Sequence, residues 1–383
     1  MDDSRLRTRI GVQEELRITL YRFATSGEEN RFTAEARLEY FSGDSTASKM
    51  VSPRFRFTFP VLPITPESID WCLEKYWQWP SGRSEPLDQI LPHWGQALYR
   101  VLLGYTAAKS TCDAWRYSEG QKCLSIQVET PSPSATAVRE QAIAAHLYGL
   151  PWETIHDGYE YLCRDDLTIR RKISGGRASL PSTSPPIHVL LINSRPKIPE
   201  LEPNLDSRAT AQALFRATER IIEPTLLAPP TFEELERTLT KARRRKTPYS
   251  VVHWDGYAIM VKKRHVGLYF EDPSSLERLE DRLSTIISVE DFAKVLCEHR
   301  IQLVFLTLTV ETQPLEDLLK TEIATVLIQS GISAVVTLHH RFPKHLLTHF
   351  LSTFYKRLTQ GTEIGVALAQ SRQSLWILAS SMV

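Results

Sequence analysis

Cysteine is scarce. Five thiols, Cys72, Cys112, Cys123, Cys163 and Cys297, are scattered over 383 residues. None is spaced Cys-x-x-Cys from another, and their number is odd. This argues against a disulfide framework and a structural zinc site, and it fits a reducing, cytoplasmic setting. Long apolar runs are missing too. No stretch reaches the roughly 18 consecutive apolar residues of a membrane span, and the opening MDDSRLRTRI lacks the apolar core of a secretory signal. Neither sign of charge dominates. Lys and Arg number 46 against 45 Asp and Glu, a net charge of +1. Bulk attraction to nucleic acid or to a lipid surface is therefore not expected. No repeat of 20–50 residues is visible.

What is present is an ordinary share of core-forming residues, 42% hydrophobic, enough for one to three domains. The clearest break is SGGRASLPSTSPP at 174–186, rich in Gly, Ser and Pro. Before it, over 1–180, strands and helices mix in an α+β region. ELRITLYRF and RFRFTFPV alternate as half-buried strands do. TPESIDWCLEKYW opens with a helix-start signal, EPLDQILPHWGQALYRVLLG continues helical spacing to a glycine, and AVREQAIAAHLYGL is a further helix. LTIRRKI reads as a strand.

Over 187–383 the rhythm changes. The strands IHVLLIN, PTLLA, YSVVHW, GLYFE, QLVFLTLT and SAVVTLHH are interleaved with helices at about 207–221, 231–246, SVEDFAKVLCEH, 315–330 and 343–360. Short apolar runs between helices predict a mainly parallel sheet covered on both faces. HVLLIN, YSVVHW, LVFLTLT and AVVTLHH are its expected core neighbours. The basic run KARRRK at 241–246 closes a helix, where cations suit the macrodipole. In such sheets chemistry gathers beyond the carboxyl ends of the strands. That singles out the polar stretch HWDGYA, read as a turn closing its strand, and the end of LVFLTLT.

In order along the chain, GLPWETIHDGYEYLCRDDLTIRRKI, HVLLINSRP, LLAPPTFEELERTLTKARRRKTPYSVVHWDGYA, VGLYFEDP, HRIQLVFL and LIQSGISAVVTLHHRFPKHLLTHF resemble the CHAT family of caspase-like and separase-like cysteine peptidases. The resemblance implies a caspase-like, mainly parallel sheet flanked by helices, with residues 1–180 as its companion region. In active members a His-Phe-Asp-Gly-His-Gly turn supplies the general base, and a Cys ending the next-but-one strand is the nucleophile. Here those positions hold Tyr257, followed by Ala258, and Thr309, followed by Val310. A phenol is a poor base at neutral pH, and a threonine hydroxyl without a base is barely nucleophilic. His253 matches the upstream His, which is not the base, and strand alternation is expected to turn it away from Tyr257.

The resemblance therefore implies a catalytically inactive pseudopeptidase, without metal or cofactor. It would bind a protein or peptide, such as an active caspase-like protease or a sensor protein, in a prokaryotic protease or defence pathway. Groove candidates are Arg195, His253, Asp255, Gly256 and Glu311. Arg195 is read as an anchor for an acidic peptide group or as half of a structural salt bridge. The alternative is an active, divergent peptidase that uses Thr309 or a relocated pair such as Cys163 and His156.

Other polar groups have simpler readings. Cys297 sits in a helix as a structural thiol. His339 and His340 are adjacent on a strand and point to opposite faces. His345 and His349 share a helix face but lack a third ligand. The aromatics of CLEKYWQWP and LPHWGQ read as packing. The charged segment 271–288 reads as a solvated loop and the best place for a partner contact.

Overall fold

The computed structural model describes residues 13–26, 31–43, 45, 47–61, 85–129, 137–164, 167–174, 187–196, 198, 222–261, 265–275, 283–310, 316–338 and 344–380. The described chain divides into two compact units at Lys172 and Ile173. The helices expected near 65–77 and 207–221 lie outside the described residues, as do the break at 175–186, Cys72, His339, His340 and Glu311.

In chain order the first unit contains β1 (Gln13–Ser26), β2 (Arg31–Ser42), β3 (Met50–Val51), β4 (Phe55–Thr58), α1 (Glu85–Leu102), α2 (Thr106–Arg116), β5 (Gln121–Val128), α3 (Ala137–Gly149) and β6 (Thr168–Lys172). The sheet order is β3-β2-β1-β5-β6, with β4 also paired to β2. Alternation sorts the two faces. Leu16, Ile18 and Leu20 of β1, with Ala34, Ala36 and Leu38 of β2, are buried in one core with Trp94, Trp115 and Trp152. On the other face Glu15 meets Arg17 at 3.2 Å and Arg170 at 2.9 Å. The tryptophans near LPHWGQ and LPWE are packing residues, as Trp94 and Trp152 show by their burial.

The second unit runs β7 (Ile187–Ser194), β8 (Ile222–Leu226), α4 (Phe232–Arg244), β9 (Val251–Val261), β10 (His265–Glu271), β11 (Ser284–Ser288), α5 (Val289–Glu298), β12 (Leu303–Val310), α6 (Glu316–Ser330), β13 (Ala334–Thr337), α7 (Lys344–Thr359) and α8 (Ile364–Ser380). Strands β8, β7, β9, β12 and β13 lie side by side, every pair parallel. The four expected core strands are neighbours. One face packs Leu190, Val252, Trp254 and Leu306 against α4, α5 and α6. The other packs Val189, Val251 and Phe305 against α7 and α8. Burial on both faces is why these strands read as apolar runs.

Local signals place the helices. Thr231 Oγ1 accepts the Glu234 amide at 3.2 Å and caps α4, and Ser288 Oγ accepts the Asp291 amide at 3.1 Å and caps α5. Glu233 and Glu234 open α4, and Lys241, Arg243 and Arg244 close it, so the basic run complements the helix dipole. Among the described residues no helix is long and apolar enough to cross a membrane.

Two sequence expectations need correction. HWDGYA is not a turn: β9 continues through it to Val261. Its first part pairs in parallel with β7, up to Gly256, and its last part pairs antiparallel with β10, from Ala258. A new partner takes over the same strand edge as β7 ends, so nothing forces the backbone to turn. The segment 271–288 is not all loop either, because Ser284–Ser288 forms β11 antiparallel to β10.

Candidate functional site

The carboxyl edge of the parallel strands is built in rows. The register sets Leu191, His253 and Phe305 abreast on β7, β9 and β12, then Asn193, Asp255 and Thr307. One row further out, Tyr257 is the direct partner of Thr309. Of Thr309 only the backbone is described. The spacing of four between His253 and Tyr257 is even, and the register with β12 is unbroken from Val251 to Ala258. In a strand of period two this puts both on one face. The expectation that alternation separates them is therefore wrong. They differ in depth along the strand.

His253 is fully buried. Its Nδ1 shares a hydrogen bond of 2.8 Å with the Tyr355 hydroxyl, and its Nε2 one of 3.2 Å with Thr307 Oγ1. Its ring stacks on Phe305 at 4.6 Å. Burial pushes the imidazole down to about 3, so it is neutral at pH 7. With both nitrogens engaged and so little basicity, it cannot take a proton from a nucleophile. Burial also pushes the Tyr355 phenol up. Tyr355 belongs to α7, 102 residues away, and no local pattern announced it.

Asp255 is 1% exposed. Asn193 Nδ2 donates to its Oδ2 at 3.2 Å, and Arg195 Nη2 donates to its Oδ1. The salt-bridge reading of Arg195 is thus correct, but it does not exhaust the side chain. Arg195 Nε and Nη1 are buried with no hydrogen-bond partner among the described residues. Buried donors without acceptors are costly and rare. They leave two N–H groups ready for an acceptor at the edge where ligands of such sheets bind.

Gly256 permits a close approach. A Cβ there would lie 2.5 Å from the Ser194 carbonyl oxygen and 3.2 Å from the Trp254 ring. Tyr257 is 4% exposed, in a small cluster with Ile198 and Tyr269. Ala258 belongs to the core on the opposite face.

Each member of the substitute pair has a backbone partner of its own. Cys163 Sγ donates to the Glu153 carbonyl at 2.8 Å, and His156 Nδ1 accepts the Gly158 amide at 3.0 Å. Cys297 Sγ donates to the Ser330 carbonyl at 3.1 Å, in keeping with a structural role. Among the described residues no three His, Cys, Asp or Glu side chains gather as a metal site.

The sequence matches the CHAT domain family over residues 141–380. The match starts within α3 and takes in β6 and the whole of the second unit up to the end of α8. No curated protein matches the chain.

Proposed function

The chain belongs to the CHAT domain family, and from that premise we propose that it is a member without peptidase chemistry that binds a protein or peptide at the carboxyl edge of its parallel sheet. The observation that carries this reading is the pairing of Tyr257 with Thr309 in adjacent strands, at the positions where the family keeps its base and its nucleophile. The imidazole on the same strand, His253, is sealed and neutral. The two unspent donors of Arg195 favour a ligand that brings an acceptor, such as an acidic side chain. Such a protein acts by holding a partner, a regulatory role suited to a protease or defence pathway.

The test is a protease assay against the host proteome, with a cysteine-directed probe alongside. The wild type is expected to be silent. Tyr257→His alone and Thr309→Cys alone stay inert, because each restores half of a thiolate–imidazole pair. The double variant, with Ala258→Gly, gains labelling by the probe. Cleavage by the wild type that survives Thr309→Ala and Tyr257→Phe but is lost with Cys163→Ala would overturn the reading and favour a relocated nucleophile.

A further inference from the structure

Strand β11 ends the order β11-β10-β9-β12-β13, so among the described residues one of its edges has no neighbouring strand. The backbone tells which groups line that edge. The Asp272 amide donates to the Leu283 carbonyl at 2.9 Å, in register with the pairs that run from Glu271–Ser284 to Gly267–Ser288. In an antiparallel ladder, hydrogen-bonded pairs alternate with pairs whose N–H and C=O groups point away from each other. Thr285 and Ile287 therefore bond to β10, and Ser284, Ile286 and Ser288 turn their backbone groups outward. The residues of β10 agree. Opposite Ser284, the Glu271 amide donates away from β11 to the Pro230 carbonyl at 3.1 Å. Opposite Ile286, the Tyr269 carbonyl accepts the Ser194 hydroxyl at 2.6 Å.

Free sheet edges are commonly blunted by charges, by proline or by a bulge. The strand STIIS uses none of these. Its residues are uncharged, and its register with β10 is unbroken. Ile286 is 45% exposed at the centre of the edge, and Leu283, which leads into the strand, is 57% exposed. The inner side of the Ile286 side chain is fixed, because it lies over Gly267, where a Cβ would collide with its Cγ2. Its cross-strand neighbour Tyr269 belongs to the Tyr257 cluster, so the edge adjoins the candidate site.

The outward residues are complementary to themselves. Laid antiparallel against a second copy, β11 sets Ile286 opposite the second copy's Ile286, and Ser284 opposite the second copy's Ser288. Every outward residue then enters a hydrogen-bonded pair, and the pairs are related by a two-fold axis, the isologous geometry of a closed dimer. A slip by two residues leaves one outward residue of each copy without a partner in β11. Beyond Ser288 the chain turns into α5, which Ser288 caps, so the ladder does not run on in that direction. Identical strands with a charge at the centre would repel each other, and this strand carries none. We propose that β11 is a homodimer edge, through which two copies of this chain join their sheets antiparallel about Ile286. This pairing is independent of whether the site at Tyr257 and Thr309 has chemistry or binds a peptide.

The test is sedimentation velocity of the full chain over a concentration series. The wild type is expected to pass reversibly from monomer to dimer. Ile286→Lys and Ile286→Glu each replace an apolar pair by two like charges, and each weakens the dimer by about ten-fold or more. An equimolar mixture of the two brings opposite charges together and restores a mixed dimer, which a merely destabilised variant would not do. Ile286→Pro removes an outward N–H, spares the ladder to β10 and also weakens the dimer. In the wild type, hydrogen exchange of the Ile286 amide slows as the concentration rises, while the Thr285 and Ile287 amides, already bonded to β10, change less. A chain that stays monomeric would overturn the proposal and leave the edge to a strand of another protein. A dimer indifferent to the charge variants, a mixture of the folded variants that fails to associate, or an Ile286 amide whose exchange ignores concentration would overturn it as well. The exchange is readable even if no variant folds.

Discussion

Gly256 and His253, three residues apart on β9, show opposite uses of burial. At Gly256 the missing side chain is the point. The Ser194 carbonyl oxygen occupies the space where a Cβ would sit, at 2.5 Å, and it is backbone at the end of β7, which cannot swing aside as a flexible side chain would. Gly256→Ala is therefore expected to cost about 1–3 kcal/mol, the usual range for overpacking a tight site. The check is the denaturant midpoint of the variant, and an unchanged midpoint would mean that β7 and β9 separate freely here. At His253 the side chain is kept but silenced. Its nitrogens serve Tyr355 and Thr307, so the residue read as a groove candidate is a polar tie between the sheet and α7. The sequence marked His253 as present. Nothing in it marked Tyr355 as the partner.

At the scale of elements, the stretch Leu150–Glu153 and Arg171 of β6 form one clamp. Arg171 Nε donates to the Tyr148 carbonyl at 3.0 Å, and its Nη2 donates to the Leu150 carbonyl at 3.1 Å and to Glu153 Oε2 at 3.0 Å. Its Nη1 also donates to Glu153. Trp152 beside them is fully buried, and its Nε1 donates to the Leu147 carbonyl at 2.7 Å. A planar fork reaches these acceptors together, and an ammonium does not. Arg171→Lys is expected to destabilise the first unit by about 1–3 kcal/mol, read from its unfolding by tryptophan fluorescence. A loss no larger than that of an exposed lysine swap would refute the clamp. Elements of this kind were legible as motifs, though their bonds were not. The strands β7, β9, β12 and β13 were legible because burial on both faces leaves continuous apolar runs. The course of β9 through HWDGYA was not, because Asp-Gly is a turn signal and the strand persists through its pairing with β12, about fifty residues further along the chain. In β2 the inward Ala34 and Ala36 are small, so the alternation with Glu35 and Arg37 is faint. In α2 the buried Ala108, Thr111, Cys112 and Trp115 fit helical spacing, but only the last is bulky.

For the molecule as a whole, acid should act on the two units in different pH windows. In the second unit His253 stays neutral down to about 3 because burial penalises its charged form. The unfolded chain takes up that proton below about pH 6.5. The unfolded state then binds more protons than the native state, so stability is full above that pH and falls as the pH drops toward 3. His299 is shifted the same way, by burial and then by Arg243 beside it. In the first unit the strong coupling is at Glu15. Burial alone would raise its carboxyl, but Arg170, Lys172 and Arg17 outweigh that and hold it below its ordinary 4.5. Its contribution is present above that value and is lost only as the pH falls below it. Hydrogen exchange, corrected for intrinsic rates, separates the two. Between pH 7 and 5.5 the protection of β9 and β12 amides is expected to fall by up to about 1.4 kcal/mol, while β1 and β5 hold theirs. His253→Gln, which has no proton to gain, should flatten most of that fall. Equal losses in both units, or a fall that survives His253→Gln in full, would show that the buried imidazole is not what makes the caspase-like sheet acid-sensitive.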